Sequence, residues 1–481
     1  MKGKIINLEI NEISPQLLLQ YINNKKNKNS YITKLFNKNI LKIYKTKALD
    51  ISKKKLYPSQ TWASFYTGKP YSEHRCYWYS DPIDKRDLIW NKLVESNYSV
   101  GIINSVHSSK IPKDLFDNKK FRFYLPDCFG DKNITKPRKY KKFQFMNNYL
   151  VGESARITGI LNIFKIVGKF SLDIMIAPRN FGLSKFSLYL IFKIFYFSIR
   201  NRNKELIRMA QFPLIASIFV DLIKKNKPDY SSIFSNHVAG NMHRYWYAHD
   251  NSAFKNKEKY SRNWITKNKN AIYISIDLLD DLLKFIHKTI EFRDCTICIT
   301  SSMGQEPNPD FDKKFLGKYD GKIIDMELFL KHLSNFQKKF YDLTINYNVE
   351  RNMAPQYGFS FDNFEKLNAK LISESITKYL AKLGLNHKLD INKNSFVLTI
   401  DPSVDNNFQT LYSVEKANKK FSKFGFHFFA VEDHHSGSHC PDGLLALINP
   451  TDKLQDNINK SLENENYINY LKVHDAILTS F

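Results

Sequence analysis

Lys4-Ile5-Ile6-Asn7-Leu8-Glu9-Ile10-Asn11-Glu12-Ile13-Ser14-Pro15 is the stretch on which the fold turns. Lys4 to Ile10 reads as a strand. Ser14 followed by Pro15 predicts a helix start, because serine caps the free amides of a first turn and proline has no amide to leave unpaired. The helix is expected over Gln16–Ile22. A strand running into a helix, repeated down a chain, argues for a mainly parallel sheet with right-handed crossovers.

The alternation continues. Strands are expected at Ile40–Tyr44, Tyr98–Ile103, Tyr230–Ser235, Cys295–Thr300, Phe396–Ile400 and Phe426–Val431. Helices are expected through Ser64 and Tyr66 (after a turn at Pro58–Thr61), and at Leu88–Glu95, Asp277–Ile290, Met326–Tyr341 and Asn363–Leu383. The expected class is α/β, with a mainly parallel central sheet and helices on both faces. Residues 1–481 form one domain in this reading, with mostly helical insertions at 145–225 and 305–390. A hydrophobic content of 43% and an aromatic content of 14% are enough for a sizeable core.

The formal charge is +26. It would attract nucleic acid, anionic lipid or a phosphorylated substrate. Lysine and asparagine are spread along the whole chain, however, and no nucleic-acid module accompanies the charge, so it reads as a compositional bias. The densest cluster, Lys136-Pro137-Arg138-Lys139-Tyr140-Lys141-Lys142, reads as a solvated loop. Five cysteines are too few and scattered for a disulfide framework. Cys295 and Cys298 lie in an apolar run, and residues three apart on a strand face opposite ways, so both are expected in the core. The opening residues lack the long apolar core of a signal peptide. Phe186–Ile199, the most apolar stretch, is too short to span a bilayer and is expected to be a buried or lid helix rather than an interfacial one. A reducing, cytoplasmic location is the expectation.

Four segments carry the polar residues that follow strand ends: Pro58–Gly68, Phe234–Trp246, Thr300–Gln305 and Ser436–Gly443. In open α/β sheets ligands bind beyond the carboxyl ends of strands. The order and content of these segments resemble the alkaline phosphatase superfamily, with the type I phosphodiesterase/nucleotide pyrophosphatase and phosphoglycerate-mutase-like branches nearest. Trp62-Ala63-Ser64-Phe65-Tyr66-Thr67-Gly68 with Ser72-Glu73-His74 is similar to the family's nucleophile helix. Met242-His243-Arg244-Tyr245-Trp246 is similar to its D-x-x-x-H-x-x-W segment. Gly437-Ser438-His439, followed by Asp442-Gly443, is similar to its last metal histidine.

The resemblance implies two metal ions, usually zinc, that activate a Thr or Ser nucleophile on a phosphoester. Most of the ligands it implies are replaced. The first-strand Asp falls on Asn11, the Asp before His243 on Ala239, the Asp-His pair on Ser302 and Met303, and the nucleophile on Pro58. Ser59 and Thr61 are the nearest hydroxyls. Thr61 could equally cap a helix. His243 and His439 survive as ligands or acid/base groups. Two imidazoles alone do not hold zinc tightly. A third ligand would come from Glu9, Glu12, His237, Glu432, Asp433, His434 or His435; the alternatives are two metals or none. Asn11, Glu12, His434 and His435 are substrate-facing candidates. Ser301 and Ser302, with Gly304, could bind an anion.

The implied function is hydrolysis or transfer of a phosphoester, less so of a sulfate ester. The substrate would be a phosphorylated or otherwise anionic small molecule or glycan, with one divalent metal (zinc or manganese) or none. The other reading is a catalytically silent relative that binds an anionic ligand or partner.

Overall fold

The computed structural model describes residues 3–49, 56–129, 134–152, 167–256, 258–313, 317–350, 352–353, 355–361, 369–392, 395–431, 435–462 and 466–481. In chain order the strands are β1 (Ile5–Ile10), β2 (Leu41–Lys47), β3 (Val100–Ile103), β4 (Phe121–Leu125), β5 (Tyr230–Ser235), β6 (Thr296–Ser301), β7 (Gly304–Pro307), β8 (Tyr319–Ile323), β9 (Tyr347–Glu350), β10 (Gln356–Phe361), β11 (Lys388–Asn392), β12 (Ser395–Thr399), β13 (Phe426–Ala430), β14 (Gly437–Cys440), β15 (Asp442–Ile448) and β16 (Ile468–Asn469).

Eight of them form one sheet in the order β16-β2-β15-β6-β1-β5-β3-β4. β15 runs antiparallel to both β2 and β6, and the other pairings are parallel. The sheet is therefore mixed but mostly parallel, as the strand–helix alternation predicts. β1 lies at its centre. Ile6, Leu8 and Ile10 point into one apolar layer, built with the helices Pro15–Asn23, Gln211–Asn226, His237–His249 and Ala271–Lys288. Ile5 points into the opposite layer, with the helices Pro58–Thr67, Ile89–Glu95 and Tyr470–Thr479. Asn7 and Glu9 share that second face, where an apolar layer would ordinarily close over the strand; both are fully buried.

Ser14 caps the first helix as expected, its Oγ accepting from the Leu17 amide at 3.3 Å. Several expectations are corrected. The helix placed after a Pro58–Thr61 turn begins at Pro58 itself, with Tyr57 at the cap, so Thr61 is interior and caps nothing. The 305–390 segment is not mostly helical. It holds β8 to β11, and with β12 and β13 it builds a smaller unit: a sheet in the order β11-β12-β10-β9 and a β8–β13 pair. Phe329, Phe359, Ile376, Phe396 and Phe428 make its core. Its strands are short and lie between strongly periodic helices, so the helical period dominates the sequence pattern. β4 and β15 also escape the sequence reading. Arg138–Tyr140 is a helical turn with Tyr140 buried, rather than a solvated loop. Cys295 and Cys298 are buried free thiols, as expected. Among the described residues, one helical stretch, Lys204–Asn226, is long and apolar enough to cross a membrane; most of it is buried.

Candidate metal centre

The site forms where β1, β5 and β6 end. After Ile10 the chain stays beside β5 for one more residue, the Asn11 amide donating to the Ser235 carbonyl at 3.0 Å. It then turns sharply at Glu12, whose φ is +62°. A residue other than glycine in the left-handed region costs of order 1–3 kcal/mol, and such strain tends to persist at functional positions. The turn leaves the Glu12 carboxylate buried among the loops.

His243 comes from the helix that follows β5. Val238, Ala239, Met242, Tyr245 and Trp246 bury the inner side of that helix and leave His243 half-buried toward the site. His439 lies on β14, paired with Gln305 of β7. Directly opposed residues on paired strands share a face. The pairing therefore sets an imidazole and an amide side by side, both toward Glu12. β14 approaches the His243 helix so closely that a Cβ on Gly437 would lie 2.7 Å from the Met242 carbonyl oxygen and 2.4 Å from Trp246. Glycine is what admits that contact. The Ser436 amide, donating to the His243 carbonyl at 2.7 Å, locks the two elements together.

Glu12, His243 and His439 converge so that their candidate ligand atoms all lie within 4.8 Å of one another. His243 Nε2 is 3.0 Å from Glu12 Oε2, and His439 Nε2 is 3.4 Å from the same oxygen. Donors on a tetrahedral zinc, each about 2.0–2.2 Å from the ion, sit roughly 3.3–3.6 Å apart. His439 Nδ1 is 2.7 Å from the Leu56 carbonyl, to which it donates. Whenever the ring is neutral, that bond keeps the proton on Nδ1 and turns the Nε2 lone pair toward Glu12, the arrangement metal-binding histidines use. Burial works against a charge on Glu12, yet His439 and His243 hold its carboxyl well below the usual carboxylate range. The donor set is two imidazoles and one carboxylate, the composition of open, three-ligand zinc sites. These residues fit a single divalent ion.

Asn11 is not a ligand here. Its Nδ2 donates to Glu12 Oε1 and to Asn236 Oδ1, both at 2.7 Å, and its Oδ1 accepts from the Trp62 indole at 2.8 Å. It holds Glu12 in place. Gln305 donates to the other Glu12 oxygen and to the Ala239 carbonyl. Asn11→Asp would set a second carboxylate against Glu12. It is expected to cost the metal-free protein about 2–3 kcal/mol, through a lost donor and like-charge repulsion, read as a lower urea midpoint.

The hydroxyl candidates are buried. Thr61 Oγ1 lies 2.8 Å from Ser302 Oγ, Ser59 Oγ donates to the Tyr77 carbonyl, and Ser301 Oγ donates to the Met303 carbonyl at 2.6 Å. All four residues are at most 2% exposed. The hydroxyls of Ser59 and Thr61, expected to attack, are thus engaged in internal bonds beneath the site, as are those of Ser301 and Ser302; the anion-binding turn expected there would use backbone amides, which these bonds do not involve. His237 is stacked on Phe212 and bonded to Ser235 and Ser275, and Glu9 lies under the sheet with Tyr66 and Ser105, so neither supplies the third ligand. His435 is exposed and stacks on His243, with ring centroids 5.1 Å apart. Glu432, Asp433 and His434 lie outside the described residues.

Sequence reasoning singled out neither Gln305 as a Glu12 partner nor Tyr57 and Tyr79 beside the site. Tyr57 packs edge-on to His439 at 5.7 Å. Burial, and next the Glu12 carboxylate, push the Tyr79 hydroxyl up. The smaller unit reaches this region too: Val397 packs with Tyr77 and Trp78, and Asn352 bonds Ser80 Oγ at 2.8 Å.

No family model and no curated protein matches the sequence. Solved structures do. A cold-active alkaline phosphatase from a psychrophilic Shewanella is similar over 99% of both chains, at 8% identity and a TM-score of 0.33. The Thermus thermophilus alkaline phosphatase is similar over 99% of this chain and 90% of its own, at 8% identity and a TM-score of 0.36. Murine ectonucleotide pyrophosphatase/phosphodiesterase 5 is similar over 99% of this chain and 94% of its own, at 9% identity and a TM-score of 0.33.

Proposed function

We propose that this protein is a phosphoester hydrolase of the alkaline phosphatase type that works with one divalent ion, zinc or manganese, where the superfamily uses two. The observation that carries the reading is the convergence of Glu12, His243 and His439 at the sheet's carboxyl edge. A divalent ion held there would supply a Lewis acid for a phosphoryl oxygen and lower the pKa of a coordinated water. The rest falls to the chain. Asn11 and Gln305 fix the carboxylate, and Leu56 fixes the His439 tautomer. His435, exposed beside His243, is placed to hand a proton to a leaving group, a role imidazole suits near neutral pH. The reading assigns no covalent step to Thr61 or Ser59, whose hydroxyls serve as scaffold. The substrate class is a phosphomonoester or phosphodiester of a small molecule or glycan, and transfer to another alcohol would use the same centre.

The losses at Ala239, Ser302 and Met303 favour the second reading, a silent relative that keeps the pocket for an anionic ligand. Zinc or manganese titration against p-nitrophenyl phosphate and bis(p-nitrophenyl) phosphate separates the two. Hydrolysis should need the metal and fall in His243→Ala by about a thousandfold, the rate equivalent of several kcal/mol of lost charge stabilisation. Bound metal with no turnover of either ester supports the silent relative. Turnover that survives chelation removes the metal reading altogether.

A further inference from the structure

The helix Lys185–Arg200 is apolar on two sides. Ser187, Leu190, Ile194 and Ser198 face inward and are buried. Lys193 is tied to Asp281 at 2.7 Å. Leu188, Phe192, Phe195 and Ile199, at helical spacing, form a second stripe that faces outward, with Tyr189 and Tyr196 beside it. The reading of Phe186–Ile199 as a buried or lid helix is corrected on this side. Phe192 is 70% exposed and Ile199 77%; in the preceding short helix, Ser171–Ile176, Leu172 is 65%, Met175 71% and Ile176 74% exposed. Soluble monomers rarely leave so many large apolar side chains in water.

The charge around this stripe has one sign. From Val167 to Lys204 there are seven Lys and Arg residues against one acid, Asp173, which is paired with Lys142. Lys169, Arg179, Lys185, Arg200, Arg202 and Lys204 are all exposed and flank the helix at both ends. A second copy of the chain would bring the same positive rim and be repelled. The 16-residue helix spans about 24 Å at 1.5 Å per residue, too short to cross a bilayer's roughly 30 Å core. An apolar stripe with tyrosines and a basic rim is the pattern of a helix that lies in the plane of an anionic membrane surface.

We infer that Lys185–Arg200, together with Ser171–Ile176, docks this protein onto an anionic lipid bilayer. The surface is independent of the metal centre and of the reaction proposed for it. Flotation of the full chain with phosphatidylcholine vesicles, and with vesicles holding phosphatidylserine as roughly a third of their lipid, tests it. Binding should require the anionic lipid and weaken with salt. It should fall at least about tenfold in Phe192→Asp/Ile199→Asp, which removes two exposed apolar side chains and leaves the core untouched. Lys185→Gln/Arg200→Gln/Arg202→Gln should flatten the salt dependence. Three outcomes would overturn the inference: no binding to either vesicle, equal binding of the Asp variant, or a solution dimer by light scattering that the Asp variant dissolves.

Discussion

Purified protein is expected to retain about one zinc or manganese ion per chain, and the His243→Ala/His439→Ala variant none. Glu12→Gln should weaken binding by more than about 100-fold, beyond what loss of an outer hydrogen-bond partner costs a metal site. Both imidazoles point their Nε2 atoms at one carboxylate oxygen, at 3.0 and 3.4 Å, and that carboxyl is held ionised. A glutamine in its place would keep the side-chain shape but lose the anionic donor. Elemental analysis of the three proteins, with circular dichroism to show they are folded, reads the result directly. Chelation should also lower the unfolding midpoint of the parent alone, since an ion present at roughly 100 times its dissociation constant stabilises by about 2.7 kcal/mol. Equal metal content in parent and variants would refute the assignment.

Glu9→Gln is expected to stabilise the protein above neutral pH. Burial pushes the Glu9 carboxyl up to about 7, against the pull of hydrogen bonds from Ser105, Tyr66, Ser232 and Asn7. Between pH 4.5 and about 7 the native state holds a proton there that the unfolded chain has released. Stability from this group is complete below pH 4.5 and is lost as pH rises through about 7. A rise from 4.5 to about 7 corresponds to about 3 kcal/mol. The buried imidazoles of His107, His237 and His474, pushed down from 6.5 to about 3 chiefly by burial, act oppositely below their ordinary value. The effect is therefore read as the difference between parent and variant in urea unfolding, at about pH 5 and about pH 8. Glu9→Gln should gain on the parent at the higher pH and match it at the lower. An unchanged difference would show that Glu9 stays ionised throughout.

The two acids of the first strand illustrate what local sequence can and cannot say. Glu9 and Glu12 are three residues apart, and residue type makes both candidate ligands. The strand's alternation sends Glu9 under the sheet, where Tyr66 and Ser105 hold it. The left-handed backbone at Glu12 breaks the alternation and turns that side chain to the loops. Nothing in Ile10-Asn11-Glu12-Ile13 marks the positive φ, because it depends on how the chain leaves β5. The same holds for Thr61. A turn would leave its hydroxyl available, but the helix starts three residues earlier and Ser302, 241 positions away, takes the hydroxyl up.

The strand–helix alternation that makes most of the central sheet parallel, the Ser14 cap and the surviving pair His243 and His439 are written in the sequence, because capping, periodicity and residue type are local properties of the chain. Which carboxylate joins the imidazoles, which hydroxyls are spent, and which side of Lys185–Arg200 meets water were decided only by the tertiary structure. Each depends on residues brought together from distant parts of the chain, as when pairing His439 with Gln305 aims both at Glu12, and no spacing along the polypeptide encodes that meeting.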